Sequence, residues 1–245
     1  MNESTPARSR LRFRLMLIVA LIALILAGAG SFFTYQVQQV PEFYEQAIAA
    51  QPQQQAAAGQ QFEQQAIEVQ NQIRRTGDWR AELAEDEING WLATVLPEKF
   101  PGVLPPDASD PRVAIQQDRL LIAAKYRTTG IETVVSLEIS AFLTDEPNVV
   151  AVRIHRVAAG NIPIPLGKYL AEITAAAAKR GIYIGWQEVA GDPLAIITLP
   201  LAEPGDKRKI ILRSLELLPG KAIASGTVEE REMSPQEPTP GPSRK

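Results

Sequence analysis

The chain has no cysteine and a single histidine, His155. Without a thiol there is no disulfide, no thiolate metal site, no cysteine nucleophile and no lipoprotein-type lipid attachment, so the fold rests on its core alone. One imidazole leaves little for proton transfer or for a histidine-built metal centre. Also missing are a Gly-x-Ser-x-Gly elbow, a phosphate-cradling glycine loop and any cluster at metal-ligand spacing. Glu132 and Glu138 share a strand face but stand about 20 Å apart at about 3.3 Å per residue, too far for a carboxylate pair. His155 alternates with apolar neighbours and reads as a hydrogen-bonded or solvent-facing imidazole. These absences argue against an enzyme and call for no cofactor and no metal. Cations are scarce as well: none occurs between Arg14 and Arg74. Net charge is −3, and the leader carries four arginines against Glu3, which leaves about −6 on the remainder. Such a surface excludes a nucleic-acid partner, whose phosphates need basic groups.

The longest absence of charge is also the strongest positive signal. Leu15 to Tyr35 reads LMLIVALIALILAGAGSFFTY, and no charged residue follows until Glu42. A helix of this length rises about 30 Å, the thickness of a bilayer's hydrocarbon core. Arg8, Arg10, Arg12 and Arg14 precede it, so the positive-inside rule places the N-terminus in the cytoplasm and the bulk of the chain outside. Phe32, Phe33 and Tyr35 fall at the exit, where aromatic rings favour the headgroup region. A cleavable signal peptide ending near Ala27-Gly28-Ala29 is the competing reading; apolar character continuing through Phe33 favours a retained anchor. The expected location is the bacterial inner (cytoplasmic) membrane, single-pass, with the bilayer itself as first partner.

The organisation that follows is a leader over 1–14, an anchor over 15–35, a Gln/Ala-rich helical stalk over 36–77, an extracytoplasmic α+β domain over 78–230 and a proline-rich disordered tail over 231–245. In the stalk, Phe62, Ala66, Val69 and Ile73 make one narrow apolar stripe, which either pairs with another stalk or lies on the chain's own domain. Gly77 is its expected stop. Glu85, Asp86 and Glu87 open an amphipathic helix through Ile88, Trp91, Leu92 and Val95, with a proline-broken loop from Pro97. From Arg112 the period changes to two: Leu120, Ile122, Ala124 and Tyr126 mark one face, then Ile131, Thr133, Val135, Leu137, Ile139, Ala141 and Leu143 the next, and Val150, Val152 and Ile154 a third. Short turns between them imply an antiparallel meander. A helix is expected from Leu166 to Arg180, its Ala175 to Ala178 lying close on a sheet, and four further strands after it. The fold class is α+β: a transmembrane helix and stalk, then one curved antiparallel sheet of about seven or eight strands on one or two helices.

Trp79 to about Leu201 resembles the YpmS-like proteins, single-pass bacterial membrane proteins of largely uncharacterised role. The matching pieces are Ile88-Asn89-Gly90-Trp91-Leu92, the strand pair around Asp118, and Val152-x-Ile154-x-x-Val157-x-x-Gly160-x-Ile162-Pro163-x-Pro165. At the level of fold, a long twisted sheet against a helix also looks like the tubular lipid-binding modules of envelope proteins. The resemblance implies no catalytic residues. Apolar surplus on the strands is explained by a second sheet, or by a groove that accepts an acyl chain. That groove is expected between the helix Leu166 to Ala178 and strands Ile131 to Leu143 and Leu194 to Leu201, with Val135, Leu137, Ile139, Leu166, Leu170, Ile173, Ile197 and Leu199 as its lining. The expected function is non-enzymatic binding of a lipid or other apolar envelope molecule. Its rival is an assembly module meeting envelope proteins, or a second stalk, through stalk and sheet edges.

Overall fold

The computed structural model describes residues 35–128, 130–179, 181–199, 201 and 208–230. The expected anchor up to Thr34, the expected leader and the expected tail lie outside the described residues. Among those described, no helix is long and apolar enough to cross a membrane.

Two helices, one of 7 and one of 22 residues, lead into the sheets. These are α1 (Glu42–Ile48) and α2 (Pro52–Ile73), the second started by a proline in its first turn, where its missing N–H costs nothing. Helix α2 ends at Ile73, and Gly77 opens β1 (Gly77–Ala84) at φ 125° rather than stopping the helix. Then come α3 (Glu85–Lys99) and strands β2 (Ala108–Gln116), β3 (Arg119–Thr128), β4 (Ile131–Leu143), β5 (Val149–Ala159) and β6 (Ile162–Pro163). A 3-10 turn, Leu166–Lys168, leads to α4 (Leu170–Ala178), and β7 (Tyr183–Val189), β8 (Asp192–Thr198), β9 (Arg208–Leu218) and β10 (Lys221–Glu230) complete the order.

The strands divide between two antiparallel sheets, not one. A seven-stranded sheet runs β2-β3-β4-β5-β8-β7, with β6 on β5, and a three-stranded sheet runs β1-β10-β9. The curved single sheet expected from the sequence is thus split: β1 pairs in full register with β10, Trp79 opposite Gly226, a contact between chain ends that no local pattern announces. Gly226 is required there because a Cβ would run into the Trp79 ring and the Ile211 carbonyl.

The core lies where the sheets meet. Trp79, Ala81, Val150, Ile210, Leu212 and Val228 are buried together, with Ala141, Leu143, Val152, Leu199 and Leu201 packed around them. Val69 and Ile73 of α2 join the same cluster, and Phe62 sets its ring 5.4 Å from that of Trp91. The stripe of the Gln/Ala-rich segment is therefore spent on the chain's own domain. Close approach of α2 to α3 depends on Gly90, whose added Cβ would stand 2.5 Å from the Gln55 carbonyl and 2.6 Å from the Gly59 nitrogen. Helix α3 continues past Pro97 to Lys99, longer than the proline implied, because a proline in the last turn forfeits only one ladder bond.

Side-chain amides and carboxylates close the sheet edges. Asn89 donates to the Val113 carbonyl and accepts from the Val113 N–H, both at 2.8 Å, and Glu85 accepts from the Ile115 N–H at 2.6 Å, so α3 seals β2. Asn148, at φ 61°, does the same for β9: it donates to the Ile210 carbonyl and accepts from the Leu212 N–H, each at 2.8 Å. Gln72 accepts from the Arg80 N–H at 3.0 Å on β1. Glu87 accepts from the Ala84 N–H and from Gln65, which completes the occupation of the acids Glu85 and Glu87 by architecture.

Candidate functional site

Successive residues of a strand alternate between faces, and residues paired across a ladder share one. On β4 the odd-numbered set forms the dry face. Its two ends are covered by different things. Thr133 is buried beneath the entering chain and donates to the Val37 carbonyl at 2.6 Å. Ala141 and Leu143 lie under the three-stranded sheet. Between them, Val135, Leu137 and Ile139 are only half-buried. The second sheet reaches this face from the Leu143 end and α4 from the β7 side.

The row continues sideways. Ala124, Ile122 and Leu120 of β3 pair with Val135, Leu137 and Ile139, and Ala159, Val157 and Ile154 of β5 pair with them on the other side. All are half-buried. The register shifts between Glu138 and Ile139, where His155 is the extra residue of a bulge; without that shift Val157 would fall on the wet face. Three strands and five residues give an apolar wall of about 13 Å by about 10 Å.

Helix α4 makes the rim. The expected continuous helix from Leu166 to Arg180 is broken at Tyr169 into a 3-10 turn and the shorter α4, with no buried residue in either. Ala175, Ala176 and Ala178 are exposed, contrary to the expectation that they lie close on the sheet; the half-buried side is instead Leu170, Ile173, Thr174 and Ala177. Thr174 accepts a hydrogen bond of 2.8 Å from the Trp186 indole of β7. Leu166 and Leu170 line a cleft of about 410 Å³ with Ile154, Val157 and Ile164, a cleft that His155, Arg156, Gln187, Glu188 and Asp192 also line.

Of the residues expected from the sequence, Val135, Leu137 and Ile139 form the centre of the wall, Leu166 and Leu170 the cleft beside it, and Ile173 stands on the rim helix. Ile197 and Leu199 are not with them: Ile197 pairs with Val150 of the core, and Leu199 packs into the inter-sheet cluster. Ile122, Ala124, Val157 and Ile164 belong to the site without having been singled out. The alternation of β3 carries the signal for the first two; the bulge hides the third.

Gly160, at φ 57°, marks where the chain enters. Its added Cβ would collide with the Gln36 and Val37 carbonyls, and the next N–H, of Asn161, donates to the Gln36 carbonyl at 2.9 Å. The Gly-x-Ile-Pro-x-Pro stretch is thus a seat for the segment that follows the apolar run, placed at the Thr133 end of the wall.

The wet face holds an arrangement with the outline of a catalytic triad. Ser140 Oγ lies 2.8 Å from His155 Nε2, and His155 Nδ1 lies 3.6 Å from Asp192 Oδ2. Arg153 donates to that same oxygen at 2.9 Å, so the Asp192 charge is already paired. Ser140 sits inside the extended strand β4, paired with Arg153 of β5, and not at a helix N-terminus that would gather backbone donors for an oxyanion. This geometry clasps β4, β5 and the β7–β8 hairpin. No metal-competent group of His, Asp and Glu occurs among the described residues. Compared with known proteins, the chain matches no family model, no curated protein and no solved structure.

Proposed function

We propose that this chain is a membrane-anchored, extracytoplasmic binding protein that holds a lipid or other apolar envelope molecule on the wall centred on Leu137, without catalysis. The observation that carries the proposal is the half-buried row Val135, Leu137 and Ile139, flanked in register by Ile122, Ala124 and Val157 and rimmed by α4. Apolar side chains left half in water on both of a strand's ladder neighbours gain by being covered. Covering about 130 Å² of wall and a similar area of ligand yields on the order of 6 kcal/mol at about 25 cal/mol per Å². After the cost of association this is modest, which suits a site that exchanges ligand with a bilayer. The uncharged run over 15–35, taken as an anchor, supplies that bilayer, and its last residues lead directly to Gln36 and Val37 at one end of the wall.

The test uses the full-length chain in phospholipid vesicles that contain a photo-crosslinkable acyl chain. Wild type is expected to label, with adducts on β4 or α4. Leu137→Asp and Ile173→Asp are expected to reduce labelling at least tenfold. Phe142→Asp, on the wet face and 47% exposed in wild type, is expected to leave it unchanged. Equal labelling of wild type and Leu137→Asp, with circular dichroism showing both folded, refutes the proposal; adducts confined to protein partners favour an assembly module.

A further inference from the structure

The cleft beside the wall lies where the large sheet is interrupted. Strand β5 pairs with β8 as far as Arg153 and with β6 from Ala158 onward, so on that side Ile154 to Val157 have no strand partner. Only the Ile164 N–H crosses the interval, to the Val157 carbonyl at 2.8 Å. The cleft of about 410 Å³ is mixed in chemistry. Ile154 and Val157 belong to wall and cleft alike, being the ladder partners of Ile139 and Leu137, and Leu166 and Leu170 complete the apolar part. The polar part includes two side chains of opposite charge, Arg156 and Glu188. They do not pair with each other, and neither has an ion-pair partner among the described residues; Arg156 reaches only the Asn161 carbonyl, at 3.4 Å. The other titratable groups of the cleft are engaged: His155 with Ser140 at 2.8 Å, and Asp192 with the Arg153 guanidinium at 2.9 Å.

We infer that this cleft holds the polar head of the amphiphile whose chain lies on the wall, and that the head is zwitterionic, with a phosphate at Arg156 and an ammonium at Glu188. The inference rests on the reading of the wall as a lipid site and names the class of lipid. Charge complementarity selects the head. A purely anionic head sets its charge against Glu188, a purely cationic one against Arg156, and an uncharged one leaves both charges unmatched. Two opposite charges that line one cleft without meeting are spaced for a ligand that carries both. Because Arg153 already balances Asp192, the cleft offers one cation and one anion and no surplus of either. Arginine is also the side chain whose fork of donors matches phosphate oxygens in pairs. Continuity with the wall fixes the rest: a chain over Leu137 touches Val157 next, so the molecule stays in apolar contact until its polar atoms arrive. The volume falls within the range of about 300 to 1,000 Å³ in which small ligands bind.

The full-length chain is placed in phosphatidylcholine vesicles that carry the photo-crosslinkable acyl chain on one of three heads at equal, low density: phosphoethanolamine, which is zwitterionic, phosphoglycerol, which is anionic, or the bare hydroxyl of diacylglycerol. The host lipid competes with all three alike. Wild type is expected to label about fivefold or more from phosphoethanolamine than from either other probe. Glu188→Lys is expected to reverse that order in favour of phosphoglycerol, and Arg156→Glu to cut labelling from both phosphate-bearing probes about fivefold while leaving diacylglycerol unchanged. Glu45→Lys, at an exposed site on α1 outside the cleft, makes the same change of net charge and is expected to keep the wild-type ratio. All three substituted side chains are exposed, and circular dichroism checks that the variants fold. Equal labelling from the three heads, a wild-type preference for phosphoglycerol, or a ratio that Glu45→Lys moves as far as Glu188→Lys overturns the zwitterionic head and leaves the wall reading standing. No labelling of folded wild type from any probe refutes the wall reading itself, and the inference falls with it.

Discussion

Tyr44 fastens the entering segment to the domain, and its ionisation offers a way to measure that fastening. The ring is fully buried against Ala123 and Val134, and its hydroxyl donates to the Asp110 carbonyl at 2.8 Å. Burial first, and the Asp110 carboxylate second, push its pKa from 10.0 up to about 12, with the Arg112 cation opposing. The folded state therefore favours the neutral phenol. Below the unfolded pKa this contributes its full stability, and the contribution is lost as pH rises from there through the folded value. At about pH 11 the loss is on the order of 1 kcal/mol, and it grows to on the order of 2 to 3 kcal/mol at still higher pH. Tyr44→Phe removes this linkage and costs about 1 kcal/mol at neutral pH through the missing hydrogen bond. Urea unfolding of both forms in mild detergent, near pH 8 and about pH 11, isolates the effect, since every other titrating group is common to the two. Wild type is expected to lose on the order of 1 kcal/mol more than Tyr44→Phe, so that its initial advantage shrinks. Parallel losses in the two proteins would refute the account of Tyr44 as a desolvated phenol.

Two further outcomes follow from the packing. Asn89→Ala strips the Val113 N–H and C=O of their partner at a buried strand edge, and at about 1 to 3 kcal/mol per stranded group it is expected to destabilise by about 3 kcal/mol. A loss under about 1 kcal/mol in urea unfolding would mean that water replaces the amide. Gly90→Ala drives a methyl against the backbone of Gln55 and Gly59, which cannot swing aside, and is expected to cost about 1 to 3 kcal/mol. Gly167→Ala, where nothing stands within 4 Å, serves as the control and is expected to melt with wild type.

The part of the candidate site that was legible is the part written in strand alternation. Val135, Leu137 and Ile139 alternate with Ser136 and Glu138 so regularly that the strand bounds, Ile131–Leu143, coincide with the sequence reading. The same holds for Leu120 to Tyr126 on β3. Where local pattern misled, a long-range contact or a small irregularity intervened. Leu199 looks like any other apolar strand residue, yet the asparagine clip that binds its N–H to the Asn148 carbonyl carries it into the core. The alanines of α4 read as a close-packing face, but the half-buried side is set by where Thr174 meets Trp186. Acids at the start of α3 looked like a charge cluster, and Glu85 proved to be an edge cap.

Sequence alone determined the antiparallel α+β class, the alternation of the dry faces and the poverty of reactive side chains, because each depends on residue type and on periods of two or 3.6 along the chain. It also carries the uncharged run that underlies the proposed anchor. Tertiary structure decided that β1 leaves the large sheet for β10, that the Gln/Ala-rich helix serves its own domain, and that the middle of the wall is only half-buried. Those outcomes turn on which distant elements meet, and pairings between residues far apart leave no periodic trace in the chain.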